Sequence, residues 1–520
     1  MLKYQLVLFL LILSCSEKNI KPNLVFILTD EQRYDTSIHY GNDKIITPNL
    51  NKLGDEAVVF ENAYVAQPVC SPNRSSIMTG LYPHQTGVIQ NKIPLSEDIA
   101  TFPQLLGKHS YETAYIGKWH LGKELDPSHG FNQVISMEDG YHWKEDAEAG
   151  ITIRYSDYHK WLIEKGYKPD SKKRGTFSRT FCTNLPYEHT KSSFIDNKAI
   201  EFIDANKDNQ FILYLGFLEP HTPVNGPFND LHDINDIELD NTYGKFVPKN
   251  EPLRNKIIRI NETSGGVKLS LKNETSILKE QMKKYWGLVH QVDLSVGKIL
   301  KKLESLGLDE NTIVVFTSDN GPWLSYGEHA GSSGIYREGK GTAWEGGQRV
   351  PCIVKYPKKI KKGTVIDEPL MGIDWLPTFA NVTNSQMSSN KIDGKNIWPL
   401  LISETSKSPH EALYFYYRAN ELHAVRSGEW KLYFPRSYRS LNGRNGGKDG
   451  IPVKYEQNVV NEKQLYNLKE DPSELNNILN DHPNIVSKLE KMGNLARYDL
   501  GDKLTNVEGI GTRDVGTIKL

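Results

Sequence analysis

The sequence predicts an α/β fold: a large, mixed, doubly wound sheet with helices on both faces. Apolar runs of strand length recur at 23–28, 113–117, 211–218, 312–317 and 350–356. Such continuous runs are typical of strands that are buried on both faces. Before the fourth run, apolar residues recur at steps of three and four, as on one face of a helix. They are Val292, Val296, Ile299, Leu300, Leu303 and Leu306. Strands that alternate with helices indicate this fold class.

Prolines and a change of composition complete the predicted organisation. Pro48 begins a helix that extends to about Ala57, with Thr47 as its N-cap, and Pro72 suits the first turn of a helix that begins at Cys70. From about residue 405 the chain has short aromatic segments, at 412–417 and 429–434, and a Gly/Asn-rich loop at 442–450. We therefore predict a main domain at 22–405 and a smaller α+β subdomain at 406–520 with a short antiparallel sheet.

The overall charge argues against a protein that binds nucleic acid through bulk charge. The chain has 63 basic and 64 acidic residues, for a formal net charge of −1. Affinity for the phosphate backbone requires an excess of Lys and Arg, so no nucleic-acid partner is expected. If the ligand is an anion, a local cluster of positive side chains has to attract it.

The first fifteen residues have the features of a targeting segment. Lys3 precedes an apolar core at 6–13, which is too short to span a bilayer. The stretch Ile12-Leu13-Ser14-Cys15 resembles a bacterial lipobox, in which the cysteine carries the lipid; an ordinary signal peptide cut nearby is the alternative. Both interpretations predict export, to the periplasm, to the cell surface as an outer-membrane lipoprotein, or into the medium. Whether Cys182 and Cys352 pair is left open.

Polar residues follow the predicted strands or begin helices in five short motifs. They are Asp30-Glu31, Cys70-Ser71-Pro72-Asn73-Arg74, Gly117-Lys118-Trp119-His120, Glu219-Pro220-His221-Thr222-Pro223 and Ser318-Asp319-Asn320-Gly321, the last trailed by Gly339-Lys340-Gly341-Thr342 and Glu345-Gly346-Gly347. Each motif alone is more often a turn, a cap or a loop. Because ligands of doubly wound folds bind beyond the carboxyl ends of the strands, their joint occurrence predicts one site.

The residue types of these motifs suit a metal-assisted reaction on a small oxyanion. Asp30, Glu31, Asp319 and Asn320 offer only oxygen ligands, which select a hard cation and suit Ca²⁺ better than Mg²⁺. Positive or hydrogen-bonding groups for the oxyanion come from Arg74, Lys118, His120, His221 and Lys340. Cys70 would lie at a helix N-terminus, where negative charge is favoured.

Together the motifs resemble those of the formylglycine-dependent, or type I, sulfatases of the alkaline phosphatase superfamily. The resemblance runs from about Pro22 to Asp471-Pro472, and its most specific part is Cys70 to Arg74 with Thr79-Gly80, the signal read by formylglycine-generating enzymes. It implies an alkaline phosphatase-like fold, a sulfatase catalytic domain at 22–405 and sulfuric ester hydrolase activity. The family usually has Asp-Asp where this chain has Asp30-Glu31, so the coordination geometry at Glu31 is open.

The resemblance also implies a role for each motif residue. Cys70 is oxidised to formylglycine, whose hydrate is held by Arg74 and Lys118 and attacks sulfur. His221 or Lys340 then protonates the leaving oxygen, and His120 helps remove the proton from the second hydroxyl as sulfate leaves. One Ca²⁺ is bound by Asp30, Glu31, Asp319 and Asn320 together with the modified Cys70. A formylglycine-generating enzyme or maturase is the implied partner.

The expected substrate is a sulfated carbohydrate, because the chain resembles exported bacterial polysaccharide sulfatases. These act on algal polysaccharides such as ulvan, carrageenan or fucan, or on glycosaminoglycans. Candidate sugar contacts are Trp119, Trp143, Tyr326 and Trp344, with His142, Arg154, His329 and Arg337. Two alternatives stay open: hydrolysis of phosphonate or phosphate esters by the same superfamily fold, and an inactive glycan-binding surface lipoprotein.

Overall fold

The structure is a computed structural model. It describes residues 21–511 apart from 108–110, 126–128, 139–154, 171–174, 239–262, 265–266, 269–273, 327–332, 386, 388–390 and 443–451. The predicted lipobox with Cys15, the candidate contacts His142, Trp143, Arg154 and His329, and most of the predicted loop at 442–450 lie outside the described residues. No helix within the described ranges has the length and apolar character required to cross a membrane.

The strands and helices alternate along most of the main domain. The strands are β1 Asn23–Thr29, β2 Val58–Tyr64, β3 Glu112–Gly117, β4 Gln133–Ser136, β5 Phe211–Gly216, β6 Thr263–Ser264, β7 Val267–Lys268, β8 Thr312–Ser318, β9 Arg349–Lys355, β10 Thr364–Ile366, β11 Leu370–Met371, β12 Leu413–Tyr417, β13 Glu421–Ser427, β14 Trp430–Tyr433, β15 Arg436–Ser440, β16 Glu456–Val460 and β17 Gln464–Asn467. The helices are α1 Pro48–Asp55, α2 Cys70–Thr79, α3 Pro83–Thr86, α4 Phe102–Gly107, α5 Asp157–Glu164, α6 Arg179–Thr183, α7 Lys191–Ala205, α8 Glu274–Ser305, α9 Glu345–Gln348, α10 Trp375–Val382, α11 Trp398–Leu401 and α12 Pro483–Leu500.

The main sheet is mixed and mostly parallel, as the sequence predicts. Its strand order is β10-β2-β9-β8-β1-β5-β3-β4, and β11 also pairs with β2. Strand β9 runs antiparallel to both of its neighbours, whereas β8, β1, β5, β3 and β4 are parallel. The central strand β1 is buried along its whole length, which explains its unbroken apolar sequence.

Side chains of β1 alternate between two hydrophobic cores, one on each face of the sheet. Leu24, Phe26 and Leu28 belong to the core that α2 and α10 cover. Val25 and Ile27 point to the opposite face, where apolar residues of α7 and α8 pack against them. This period of two, with helices covering both faces, confirms the predicted doubly wound architecture.

The C-terminal region forms a separate small antiparallel sheet, which is also as predicted. Its strand order is β12-β13-β14-β17, and α12 packs against β13 and β14. A two-stranded sheet, β15–β16, lies beside it. The predicted strands at 412–417 and 429–434 correspond to β12 and β14, each shorter by one or two residues.

Strand β2 is a central element that its sequence did not reveal. Its residues VVFENAY are buried except at Glu61, and the pairing with β9 shifts register between Phe60 and Ala63. The polar pair Glu61-Asn62 at this irregularity interrupts the apolar run that would have predicted a buried strand. The two cysteines whose pairing was left open, Cys182 and Cys352, are both free and buried.

Candidate active site

The first motif follows β1 directly and is tied to the end of β8. The Asp319 backbone N–H donates to the Thr29 carbonyl at 3.0 Å, and the Glu31 N–H donates to Asp319 Oδ1 at 3.1 Å. Glu31 has a positive φ of 62°, an uncommon conformation for a residue with a side chain. These bonds place Asp30, Glu31 and Asp319 together at the carboxyl ends of two neighbouring parallel strands, and all three are fully buried.

Helix α2 begins at Cys70, as Pro72 predicts, and its ten residues are buried. Asn73 fixes the helix to the site because its Nδ2 donates to the Asp319 carbonyl at 2.9 Å and its Oδ1 accepts from the Ala66 N–H at 3.0 Å. The Cys70 Sγ lies 2.8 Å from Lys340 Nζ and 3.4 Å from Asp30 Oδ1. The residue that carries the proposed nucleophile therefore lies between a cation and a carboxylate.

Two cations from different elements bind the same carboxylates. Arg74 lies one turn after Cys70; its Nε donates to Asp319 Oδ2 at 2.9 Å and its Nη2 lies 3.6 Å from Asp30 Oδ2. Lys118 Nζ forms an ion pair with Asp30 Oδ2, and the Lys118 carbonyl accepts from Arg74 Nη1 at 2.8 Å. Both side chains are buried, so these cations stay paired with Asp30 and Asp319.

Lys118 owes its position to close contact between the ends of β3 and β5. Its N–H donates to the Gly216 carbonyl at 2.8 Å. A Cβ at Gly117, where φ is 112°, would lie 2.2 Å from the same oxygen. The glycine is required here because a side chain would push the two strand ends apart.

The backbone of His120 is fixed by a carboxylate. It has a φ of 62°, and its N–H donates to Glu124 Oε1 at 2.6 Å, while the Trp119 N–H donates to Glu124 Oε2 at 3.1 Å. Burial, together with nearby Lys118 and Arg74, lowers the pKa of His120 well below its usual value. The ring is therefore a neutral base in the field of two cations. Glu124 was not among the predicted site residues, although it lies only four positions after His120.

His221 and Lys340 meet at one oxygen of Glu31. His221 Nε2 lies 3.3 Å from Glu31 Oε1, and Lys340 Nζ forms an ion pair with the same oxygen. The other ring nitrogen of His221 lies 2.8 Å from the Thr222 carbonyl. Lys340 Nζ also lies 4.6 Å from the centre of the Trp323 ring, which adds a cation–π contact.

Burial and neighbouring charges shift the pKa values of the three carboxylates in different directions. Burial would raise the pKa of Asp30, but Lys118, His221 and Arg74 hold it well below its usual value. Burial raises the pKa of Glu31 to about 7, although Lys340 opposes the change. Burial and the proximity of Asp30 raise the pKa of Asp319. Burial, with Asp30 and Asp319, also raises the pKa of the Cys70 thiol. Three carboxylates held this close to one another favour an additional positive charge.

The donor set fits a hard cation such as Ca²⁺. Asp30, Asp319 and Cys70 each offer one ligand atom within 4.8 Å of the others, and Asp30, Glu31 and His221 form a second such group. Asn320 is buried; its Nδ2 donates to the Gly321 carbonyl, but its Oδ1 has no hydrogen-bond partner among the described residues. A buried amide oxygen with no donor requires a partner, and a cation would supply one.

The structure brings the predicted site residues into one buried cluster at the carboxyl ends of β1, β3, β5 and β8. They are Asp30, Glu31, Cys70, Arg74, Lys118, His120, His221, Asp319, Asn320 and Lys340. Their individual roles stay predictions. Four neighbours were missed: Glu124, Trp323, Glu138 and Arg179, of which Arg179 lies 3.5 Å from His221 Nδ1 and pairs with Glu138. Trp323 lies only three residues beyond Asn320, whereas nothing local in the sequence marks Glu138 or Arg179.

Two of the candidate sugar contacts have side chains that are buried in the hydrophobic cores. Trp119 packs edge-on against Tyr115 in the core beneath the sheet. Trp344 packs against Tyr433 at the boundary with the C-terminal sheet, and Arg337, which is partly buried, stacks on Trp344 at 3.8 Å. The role of these residues as sugar contacts stays a prediction.

The fold and the cluster define an α/β protein with a cysteine at a helix N-terminus, beside a buried group of carboxylates and cations. Comparison with known proteins gives the family. The sulfatase family profile matches residues 22–385, and the profile of the C-terminal region of aryl-sulfatase matches 408–507. The chain belongs to the sulfatase family and is a sulfuric ester hydrolase.

Relatives from distant organisms support this assignment. Human steryl-sulfatase is 31% identical over 85% of this chain and 81% of its own length. The N-acetylglucosamine-6-O-sulfatase of Bacteroides thetaiotaomicron is 27% identical, over 89% of this chain and 83% of its own. Among solved structures, the phosphonate monoester hydrolase of Agrobacterium radiobacter superposes with a TM-score of 0.66 at 18% identity, over 91% of this chain and 95% of that chain. This last similarity shows the alkaline phosphatase-like fold alone.

Proposed function

We propose that the chain hydrolyses sulfate esters of carbohydrates, with a formylglycine at position 70 and one bound Ca²⁺. The observation that carries the proposal is the position of Cys70 at the N-terminus of α2, between Lys340 and Asp30. A group at this point faces cations on one side and oxygen ligands on the other. That arrangement suits an oxygen nucleophile which has to be ionised and then aimed at an anionic ester.

The residues around position 70 can carry out each proton transfer of the reaction. One hydroxyl of the hydrated aldehyde gives its proton to the neighbouring Asp319 carboxylate and attacks sulfur, and the alcohol leaves with a proton from His221 or Lys340. His120 then takes the proton of the second hydroxyl, so that the C=O bond re-forms as the bond to sulfate breaks. Arg74 and Lys118 hold the two hydroxyls in place. When bound to Asp30, Glu31, Asp319 and Asn320, Ca²⁺ supplies positive charge to the sulfate oxygens.

The carbohydrate part of the proposal rests on relatives rather than on the central cluster. The bacterial relative named for N-acetylglucosamine 6-O-sulfate matches over 89% of this chain, and the human relative is named for steryl sulfates. A sugar sulfate also agrees with the resemblance to exported polysaccharide sulfatases. Ulvan and other algal polysaccharides, glycosaminoglycans and their oligosaccharides are therefore the substrates to test first.

A panel of esters tests the reaction and the substrate together. Matched nitrophenyl sulfate, phosphate and phosphonate esters separate sulfatase from phosphonate or phosphate hydrolase activity. Sulfated oligosaccharides and a steryl sulfate then separate the two alcohol classes. We expect sulfates to react fastest and sugar sulfates to exceed the steryl sulfate in kcat/KM. Rates on phosphorus esters above every sulfate rate would contradict the proposal, as would a marked preference for the steryl ester.

We also propose that the protein is exported and lipidated at Cys15, and that a formylglycine-generating enzyme or maturase modifies Cys70. Support comes from the leader at 1–15 and from the Cys70 to Arg74 signal. Cys15→Ala tests the anchor: the variant should move from the membrane fraction to the soluble fraction of the cells. A variant that stays with the membranes would contradict lipid attachment at this residue.

A further inference from the structure

A second buried charged group lies beside the active site, made of Glu138, Arg179 and Lys191. Glu138 Oε2 accepts from Arg179 Nε at 2.9 Å and Nη2 at 2.7 Å, and Glu138 Oε1 forms an ion pair with Lys191 Nζ. The Arg179 and Lys191 cations hold the pKa of Glu138 well below its usual value although the residue is buried, so the carboxylate stays ionised. Two cations therefore hold this one buried carboxylate.

One of these two cations, Arg179, lies beside His221, the histidine proposed to face the leaving group. Arg179 Nη1 lies 3.5 Å from His221 Nδ1, while the other ring nitrogen of His221 lies 3.3 Å from Glu31 Oε1. His221 thus separates the catalytic carboxylates from the guanidinium. Because Nε and Nη2 of Arg179 are fixed on Glu138, the Nη1 edge is held toward His221 before any ligand binds.

Arg179 also borders a cleft that opens to solvent. Arg179, Lys191, Glu219 and His221 are among its lining residues. The Arg179 side chain is 30% exposed, whereas Glu138 is 4% exposed. A ligand can therefore reach the guanidinium but not the carboxylate that holds it.

We propose that the sugar that leaves as the alcohol lies against the exposed part of Arg179 beside His221, and that Arg179 recognises a second anionic group on that sugar, either a carboxylate or a sulfate. The inference rests on the proposed carbohydrate sulfatase activity. A fixed guanidinium suits pairs of carboxylate or sulfate oxygens, and partial burial strengthens the attraction. A steryl group has no second anion to offer the guanidinium. Arg179 is in this sense a specificity-determining residue.

Pairs of sugar sulfates test the proposal. Each pair shares the scissile sulfate and differs in one further anionic group: a second sulfate in one pair, a uronate carboxylate in the other. We measure kcat/KM for each member with the formylglycine-containing wild-type protein and with Arg179→Met and Arg179→Lys. In Arg179→Met, Lys191 still pairs with Glu138, so the buried carboxylate keeps a partner. Arg418→Met is the matched control, because Arg418 donates to Ser437 and Gln457 of the two-stranded sheet.

The expected result is a preference of the wild-type protein for the doubly anionic member of at least one pair. Arg179→Met should reduce that preference about 10- to 100-fold, the usual range for loss of a charged hydrogen bond. Arg179→Lys should retain part of it, and Arg418→Met all of it. The pair that responds identifies the anion as sulfate or carboxylate.

Three outcomes contradict the proposal, and they are distinguishable. If the wild-type protein cleaves sugar sulfates with no preference within either pair, or if Arg179→Met keeps the full preference, the inference is wrong while the proposed function stands. If the wild-type protein cleaves aryl sulfates but no sugar sulfate, the proposed function is wrong and the inference falls with it. Thermal unfolding of Arg179→Met confirms that the variant is folded before its rates are compared.

Discussion

Two fully buried charged clusters in this molecule have similar composition and different chemistry. The catalytic cluster consists of Asp30, Glu31 and Asp319 with Arg74, Lys118 and Lys340. The domain-joining cluster lies where the main domain meets the C-terminal sheet and consists of Glu345, Glu474, Lys431, Arg349 and Arg426. In both, carboxylates and cations are packed together away from water, so burial alone does not distinguish a reactive site from a structural one.

The difference lies in how completely each acceptor is satisfied. Glu345 Oε1 accepts from Lys431 at 2.7 Å and its Oε2 from the Tyr64 hydroxyl at 2.7 Å. Glu474 accepts from the Glu345 N–H at 2.9 Å and from the Tyr433 hydroxyl. Each donor and acceptor is matched, as a structural ion pair requires.

The catalytic cluster lacks that balance. Asn320 Oδ1 has no donor among the described residues, and burial raises the pKa of Glu31 to about 7. Burial would likewise raise the pKa of Glu345, but Lys431, Arg349 and Arg426 lower it to about 2. The comparison shows that the catalytic cluster has a buried oxygen, Asn320 Oδ1, with no donor among the described residues, whereas each carboxylate of the domain-joining cluster accepts from cations, hydroxyls or N–H groups.

The largest expected effect follows from removing the nucleophile. Cys70→Ala should lower kcat for aryl sulfate hydrolysis by roughly 10⁴-fold or more, the scale seen when a covalent nucleophile is lost. Its melting temperature should stay close to that of the wild-type protein, because Ala fits where the buried Cys70 side chain lies. Steady-state kinetics and thermal unfolding measure the two effects. Cys352→Ala, which removes a buried thiol from the sheet core, is the control and should keep its turnover. A near-normal kcat in Cys70→Ala would contradict the view that the cluster around Cys70 is the catalytic one of the two.

The next effect concerns stability and the domain-joining cluster. Lys431→Met should lower the free energy of unfolding by about 3–5 kcal/mol, because the buried carboxylate of Glu345 loses its closest cation. Urea unfolding followed by tryptophan fluorescence measures the loss. The double variant Glu345→Gln/Lys431→Met should lose less than the sum of the single variants. Lys52→Met, at a half-exposed surface pair, is the control and should change stability by about 0–1 kcal/mol.

The pH dependence of this stability has a definite sign. The folded pKa of Glu345 lies below its usual 4.5, so its contribution is present above about pH 4.5 and is lost as the pH falls toward 2. The difference in unfolding free energy between the wild-type protein and Glu345→Gln should therefore shrink between about pH 5 and pH 2. A difference that grows over this range would mean that the carboxylate is not held by cations in the folded protein.

A smaller effect is expected for the cation site. Asn320→Ala should weaken Ca²⁺ binding about 10- to 100-fold by removing one oxygen ligand, a smaller change than complete removal of Ca²⁺ with a chelator, which should abolish sulfatase activity reversibly. Titration calorimetry with Ca²⁺ measures the affinity without depending on turnover. Asn396→Ala, in the main domain away from the motifs, is the control. Undiminished Ca²⁺ affinity in Asn320→Ala would exclude this amide oxygen as a ligand.

The smallest effect concerns a link between the C-terminal region and the active site. Arg439 on β15 donates to the Lys340 carbonyl at 2.8 Å and stacks on Tyr455 at 4.8 Å. Arg439→Met should lower kcat about 3- to 10-fold, because the loop that carries Lys340 loses a support, and Arg439→Lys should restore part of the rate. A higher KM and a lower free energy of unfolding, with kcat unchanged, would show that the contact is purely structural.

Much of the fold could be predicted from the sequence. The strands β1, β5 and β8 are continuous apolar runs, and Pro72 marks the start of α2. Strand β2 escaped prediction because Glu61-Asn62 interrupts its pattern at a change of register. A buried strand can be predicted when its burial produces an unbroken apolar run in the sequence, and it is missed when polar residues interrupt that run.

The motif residues of the site could be predicted from the sequence, but the residues that pack around them could not. Asp30, Cys70 and Asp319 lie in short motifs, so their positions in the sequence are informative. Arg179 and Glu138 are 41 residues apart and meet through tertiary packing alone. Glu345 was noted with the catalytic motifs, but its side chain faces the C-terminal sheet. Packing sets the direction in which a side chain points, so this direction cannot be predicted from the motif alone.

The central claim is that Cys70 is converted to formylglycine and that the converted protein is the sulfatase. The most direct test is mass spectrometry of the peptide that contains Cys70, on protein made with and without a formylglycine-generating enzyme, together with the aryl sulfatase rate of each sample. The account predicts an aldehyde at position 70 in the first sample and a thiol in the second. It also predicts a rate that rises in proportion to the converted fraction. Full activity in a sample whose Cys70 is entirely thiol would contradict it.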